Sequence, residues 1–166
     1  MALETLDDLF LHELKDIFDA ERQILRALPK MAKAAESEEL KAAFEEHKSV
    51  TEEQVERLET IFQSLGKAAR GTHCTGIEGI IDKGEKLIKE EDKGPARDAA
   101  LICGAQKVEH YEMAAYGCLT EYAKLLEMDE AVDLLHTTLE EEKETDEKLT
   151  QVASELNLVA QEQAAE

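Results

Sequence analysis

The stretch Leu14-Lys15-Asp16-Ile17-Phe18-Asp19-Ala20-Glu21-Arg22-Gln23-Ile24-Leu25-Arg26-Ala27-Leu28 decides the fold. Its apolar residues Leu14, Ile17, Ile24, Leu25 and Leu28 recur at intervals of three and four, the spacing that gathers side chains on one face of an α-helix. Phe10 extends the stripe upstream, so the helix is expected from about Leu3 to Ala35. Pro29 lies inside it and removes one backbone donor. With apolar residues on both sides, that proline predicts a kink rather than a break. One member of the stripe is out of place. Glu21 sits where the period calls for a core residue.

Working outward, three more segments share this texture. Ser37 reads as the N-cap of a second helix, with Glu38 and Glu39 in its first turn, ending at Leu65 before Gly66. Its stripe is Leu40, Ala43, Phe44, His47, Val50, Thr51, Gln54, Val55, Leu58 and Phe62. Lys67 to Thr75 reads as loop, and Ile77, Ile80, Ile81, Leu87 and Ile88 as a short amphipathic helix. Pro95 suits the first turn of a third long helix that continues to about Glu127. A fourth runs from near Asp129 to about Asn157. At about 1.5 Å per residue, helices of this size span roughly 45 Å. The pattern predicts an all-α four-helix bundle whose long crossover, between Gly66 and Gly94, carries a short extra helix. A faint repeat supports two paired hairpins: shifting the second half places Glu112 on Glu21 and Leu149 on Leu58.

Composition agrees and excludes several functions. The 166 residues are 43% hydrophobic and 35% charged, with two prolines and eight glycines, which suits one helical domain over residues 1–160 and a frayed tail at 161–166. Thirty-nine acids against 19 basic residues give a formal charge of −20, which repels nucleic acid and anionic membranes. No apolar run is long enough to span a bilayer, and Met1-Ala2-Leu3-Glu4 lacks a basic leader region. Three cysteines without CxxC spacing fit reduced thiols in a cytoplasmic protein, with Cys103 and Cys118 expected to be buried.

The chemistry lies in polar residues on the apolar stripes. His47 falls three residues after Phe44, and Glu112 four after Val108, with Glu109 one turn earlier. Glu142 follows Leu139 by three, and Asp146 comes one turn later. Burying an isolated carboxylate costs several kcal/mol or more, so each demands a partner. Every long helix supplies at least one inward acid or imidazole near its middle. Glu21, His47, Glu109, Glu112, Glu142 and Asp146 therefore form a candidate site for two iron ions, or manganese, whose charges offset the mutual repulsion. The alternative is a non-enzymatic helical scaffold in which buried acids pair with Arg22, Arg57 or Lys107. His12, His73, His110 and His136 fall off the stripes.

Several runs resemble the YciE/YciF-type ferritin-like stress proteins of bacteria. They are Leu14 to Glu21, Ala27-Leu28-Pro29-Lys30-Met31, Leu40 to His47, Gln54 to Glu59, Ala105-Gln106-Lys107-Val108-Glu109-His110-Tyr111-Glu112 and Glu140 to Lys143. The resemblance implies a ferritin-like fold, homodimers and a di-metal site. It also exposes a departure. The wider ferritin and rubrerythrin pattern has Glu-x-x-His on the second and fourth helices, whereas this chain has Thr51-x-x-Gln54 and Glu142-x-x-Thr145. The expected function is a stress-response metal protein that oxidises ferrous iron or removes peroxide. A homodimer covering Ile77, Ile80 and Ile81 completes the expectation.

Overall fold

The computed structural model describes residues 3–90 and 93–163. Among them the fold is all-α: α1 (Leu6–Ala34), α2 (Glu38–Ser64), α3 (Thr75–Glu90), α4 (Pro95–Leu125) and α5 (Asp129–Gln163). The four long helices make a ferritin-like bundle. α1 packs on α2 and α4, and α5 packs on α4 and α2, while α3 lies across α1 and α4.

The crossover is visible in its anchor points. α2 ends beside the start of α1, and the chain then climbs along α1. Thr72 N–H donates to the Lys15 carbonyl at 3.0 Å, Cys74 N–H to Asp19 at 2.9 Å, and Lys30 pairs with Glu85 at 2.7 Å. α4 therefore starts level with the end of α1 and runs antiparallel to it and parallel to α2. Gly71 makes the tight passage possible: a Cβ there would lie 2.7 Å from the Cβ of Asp19.

Local chemistry sets the helix ends. Thr5 and Asp8 form a capping box that starts α1 later than the apolar stripe alone suggests. Ser37 caps α2 as expected, its Oγ accepting from Leu40 N–H. Pro95 opens α4. α1 stays helical through Pro29. α4 stops at Leu125, earlier than Glu127, because Glu127 turns left-handed (φ 57). The amides of Glu127 and Met128 then return to the carbonyls of Lys124 and Ala123, consuming acceptors at the helix end. α5 outruns the expected Asn157 and reaches Gln163, into the segment read as tail; residues 164–166 lie outside the described residues.

Two expectations change. Cys103 and Cys118 are exposed, whereas Cys74 in the crossover is buried. α4 is rich in small residues around its whole circumference, and the inward positions Leu101, Ala105, Val108 and Glu112 leave Cys103 on the outside. Ile77 is fully buried by its own chain, with Ile80 and Ile81 partly so. Of the face that motivated a homodimer, Ile77 is thus covered from within, while Ile80 and Ile81 stay partly exposed.

Asp98 joins the two hairpins. It is buried, and its carboxylate accepts from the Glu36 and Ser37 amides at 2.9 and 2.7 Å, binding the α1–α2 turn to the first turn of α4. Charge-assisted bonds of this kind contribute about 1.5–3 kcal/mol each. Asp98→Ala is expected to lower unfolding free energy by about 2–4 kcal/mol in denaturant titrations.

Candidate metal centre

Four helices deliver polar side chains to the middle of the bundle. Glu21 comes from α1, His47 from α2, Glu109 and Glu112 from α4, and Glu142 from α5, all buried and the four glutamates at 0% exposure. His47, Glu109, Glu112 and Glu142 each offer one donor atom, and those atoms lie within 4.8 Å of one another. Glu21 stands beside this group, its charge acting on Glu112 and that of Glu142 acting on it. Asp146, the sixth candidate, stands apart from the four. It is one turn beyond Glu142, where Gln106 Nε2 and His110 Nε2 each approach it at 3.3 Å.

What surrounds the acids is as informative as their convergence. Tyr116 donates its hydroxyl to Glu21 Oε1, and Gln54 Nε2 donates to Glu142 Oε1 at 2.6 Å. Beyond those bonds, and with every carboxyl taken as ionised, both oxygens of Glu109 and of Glu112, Oε2 of Glu21 and of Glu142, Oε1 of Gln54 and Nε2 of His47 have no hydrogen-bond partner among the described residues. The cations proposed as partners are elsewhere. Arg57 grips Glu141, at 2.5 and 2.7 Å, and reaches Thr138 at 3.1 Å. Arg22 stacks over the Phe18 ring, and Lys107 is exposed. Among the described residues, no lysine or arginine forms an ion pair with Glu21, Glu109, Glu112 or Glu142.

The electrostatics follow. Burial, then the charge of Glu142, pushes the Glu21 carboxyl up to about 8. Burial raises Glu142 to about 7, even though contacts with Glu109, Gln54 and Arg57 favour its ionised form. Glu109 and Glu112 are raised well above the ordinary carboxylate range, first by desolvation and then by the neighbouring acids. Burial alone drives His47 down to about 4, so its imidazole is neutral at pH 7 and has a lone pair to give. Its Nδ1 lies 3.6 Å from Glu109 Oε1.

The donor set is three or four carboxylates and one neutral imidazole. Hard oxygen with borderline nitrogen is a donor set that could hold a divalent metal ion. The fit is chemical as well as electrostatic, because every donor lacks a competing partner on at least one atom. Sequence periodicity found five of these residues. It placed Gln54 on the inward stripe of its helix without a partner, because a bond linking Gln54 to Glu142 across 88 residues leaves no local trace.

Fold and site together define a ferritin-like helical bundle with a carboxylate–imidazole core. The chain belongs to the family described as domain of unknown function DUF892, whose profile matches residues 5–164. It is 44% identical to Protein YciF of Escherichia coli K12 over 154 residues, covering 92% of this chain and 93% of that one. The crystal structure of the E. coli stress protein YciF superposes with a TM-score of 0.89 at 42% identity, covering 93% and 98% of the two chains. YcfI from Rhodopseudomonas palustris, described as a candidate structural protein, gives 0.87 at 40% identity, covering 89% and 94%. No helix among the described residues is long and apolar enough to cross a membrane.

The raised carboxyls set the pH dependence of the metal-free protein. From about pH 5 to 8 the folded chain retains protons that the unfolded chain has released, so stability falls as pH rises. His47 acts in the opposite sense, since its lowered value costs stability only as pH falls from about 6.5 towards 4. The melting temperature of chelator-treated protein, followed by circular dichroism, is therefore expected to decline between about pH 6 and pH 8. Glu112→Leu should flatten that decline.

Proposed function

We propose that this chain is a divalent-metal protein of the bacterial stress response, built for iron and able to take manganese. It oxidises ferrous iron or removes peroxide at the bundle core. One observation carries the reading: a cluster of fully buried carboxylates with orphaned oxygens and, among the described residues, no arginine or lysine paired to it. Such an arrangement is costly for a protein core and is relieved by a cation.

Each residue has a distinct part. His47, Glu109, Glu112 and Glu142 would hold one ion, supported by the mutual reach of their donor atoms. Glu21, with the remaining oxygen of Glu112, would be left for a second ion, and Gln54 Oε1 would add a neutral acceptor. Bound iron would supply a one-electron couple. Gln54 fixes the rotamer of Glu142, and Tyr116 that of Glu21. Asp146 orients the outer edge through Gln106 and His110. Thr51 stands where the wider ferritin pattern has a ligand glutamate, and its hydroxyl is turned back to the His47 carbonyl at 3.0 Å. His47 enters one turn earlier and provides the nitrogen that Gln54 and Thr145 cannot.

The description of YcfI as a candidate structural protein favours a second reading, a dimeric scaffold with structurally buried acids. The two readings part on Glu112. As a ligand, Glu112→Leu removes a buried charge, so the metal-free variant should melt at or above wild type and lose its response to metal. As a scaffold residue, its loss should lower the melting temperature with no metal response in either protein. Anaerobic Fe²⁺ titration with thermal melting separates them. At about a hundredfold excess over Kd, wild type should gain about 2.7 kcal/mol, a rise of about 5–10 °C for a chain this size.

A further inference from the structure

Two apolar recesses lie in line between α3 and the metal centre. The outer one opens between α1, α3 and α4, walled by Ile80, Ile88, Leu101 and the bare backbone of Gly84 and Gly104. The inner one is walled by Ile24, Leu28 and Ala105 and ends at His47 and Glu109. Ala27, Met31, Ile81 and Val108 line both, so the two recesses share this wall as a division. The inner end is where the buried, unpartnered His47 Nε2 and the orphaned Glu109 oxygens lie. Two cations line the outer recess and both are engaged: Lys30 pairs with Glu85 at 2.7 Å, and Arg97 donates to the Ala34 carbonyl at 2.5 Å.

Such walls discriminate by polarity. An ion or a strongly hydrogen-bonding molecule would shed its water without replacement, at a cost of several kcal/mol. A small neutral apolar molecule loses nothing, and dry apolar cavities in proteins take up gases such as xenon. A second cleft that reaches His47, between α2 and α5, is different: Glu46, Thr145 and Lys148 line it, with Glu46 and Lys148 paired at 3.1 Å.

We infer that the α1/α3/α4 recesses form an apolar passage that admits dioxygen to the His47–Glu109 side of the metal centre. The inference rests on the metal reading for its purpose but not for its test. Rotamer motion of Met31, Ile81 and Val108 opens the division on the timescale of side-chain hopping. α3 thereby gains a role beyond bridging the crossover, since it roofs the passage.

The glycines give a clean test. A Cβ at Gly84 or at Gly104 would meet no atom within 4 Å, so Gly104→Leu, or Gly84→Leu from the opposite wall, fills the recess without displacing backbone. Gly117, also on α4 and equally open, lies outside the passage and makes the control Gly117→Leu. Metal-free protein with labelled methyl groups is placed under dioxygen pressure, and paramagnetic relaxation of each methyl is read by NMR. In wild type and Gly117→Leu, the methyls of Ile81 and Val108 should relax several-fold faster than those of Leu58 and Leu119, which are at least as buried. In Gly104→Leu and Gly84→Leu the excess should disappear. Equal relaxation at all four wild-type methyls, or an excess that survives in both filled variants, overturns the passage. Anaerobic Fe²⁺ binding should be the same in wild type and Gly104→Leu; a wild type that binds none refutes the metal reading and leaves the relaxation result standing.

Discussion

Everything in this bundle is arranged around the cost of removing several carboxylates from water in one place. A carboxylate transferred alone to an apolar interior changes its protonation or finds a partner. Here Glu21, Glu109, Glu112 and Glu142 share one small volume, so each raises the proton affinity of the others. The metal-free fold tolerates them by keeping protons that exposed glutamates would release. A dication would relieve the same difficulty, because its charge would offset part of the group's repulsion and its coordination would use the vacant acceptor positions.

The surrounding structure serves that core by keeping it rigid and dry. Phe10, Leu14 and Ile17 on α1 and Leu58, Ile61 and Phe62 on α2 seal one end, with Phe18 packed edge-on against Phe62 at 5.4 Å between ring centres. Asp98 closes the other end by capping the α1–α2 turn. The Arg57–Glu141 pair lies just outside, where its bidentate bond takes the arginine out of competition for Glu142. In the crossover, Cys74 is fixed between Asp16 and Tyr111, with Sγ 3.0 Å from Asp16 Oδ2 and 3.1 Å from the Tyr111 hydroxyl. That network pins α3 over the helix pair that carries Glu21 and Glu112.

Much of this was readable in the sequence, for reasons that also explain what was not. The α1 stripe, the Ser37 cap and Pro95 at the head of α4 are local signals, and local signals survive folding. Glu21, His47, Glu109, Glu112 and Glu142 declared themselves by breaking an apolar period. Asp146 fits the same period as Glu142 one turn on, and periodicity cannot say which turn meets the cluster. The burial of the cysteines was misjudged because the small residues of α4 present no single apolar face. Asp98, Gln54 and Tyr116 act through bonds to residues 61 to 95 positions away, which no window of sequence contains. The YciE/YciF resemblance located the family, while the absent Glu-x-x-His histidines left the sequence pattern without a way to say which side chains meet in the core.

The central claim is that protons and a metal ion compete for one group of buried carboxylates. Calorimetric titration of Mn²⁺ into chelator-treated protein at pH 7, in two buffers of different ionisation enthalpy, tests it directly. Saturable binding with more than one proton released per ion is predicted, because ligation deprotonates carboxyls whose proton affinities are raised. Binding with no buffer-dependent heat, or no binding at all, would contradict it.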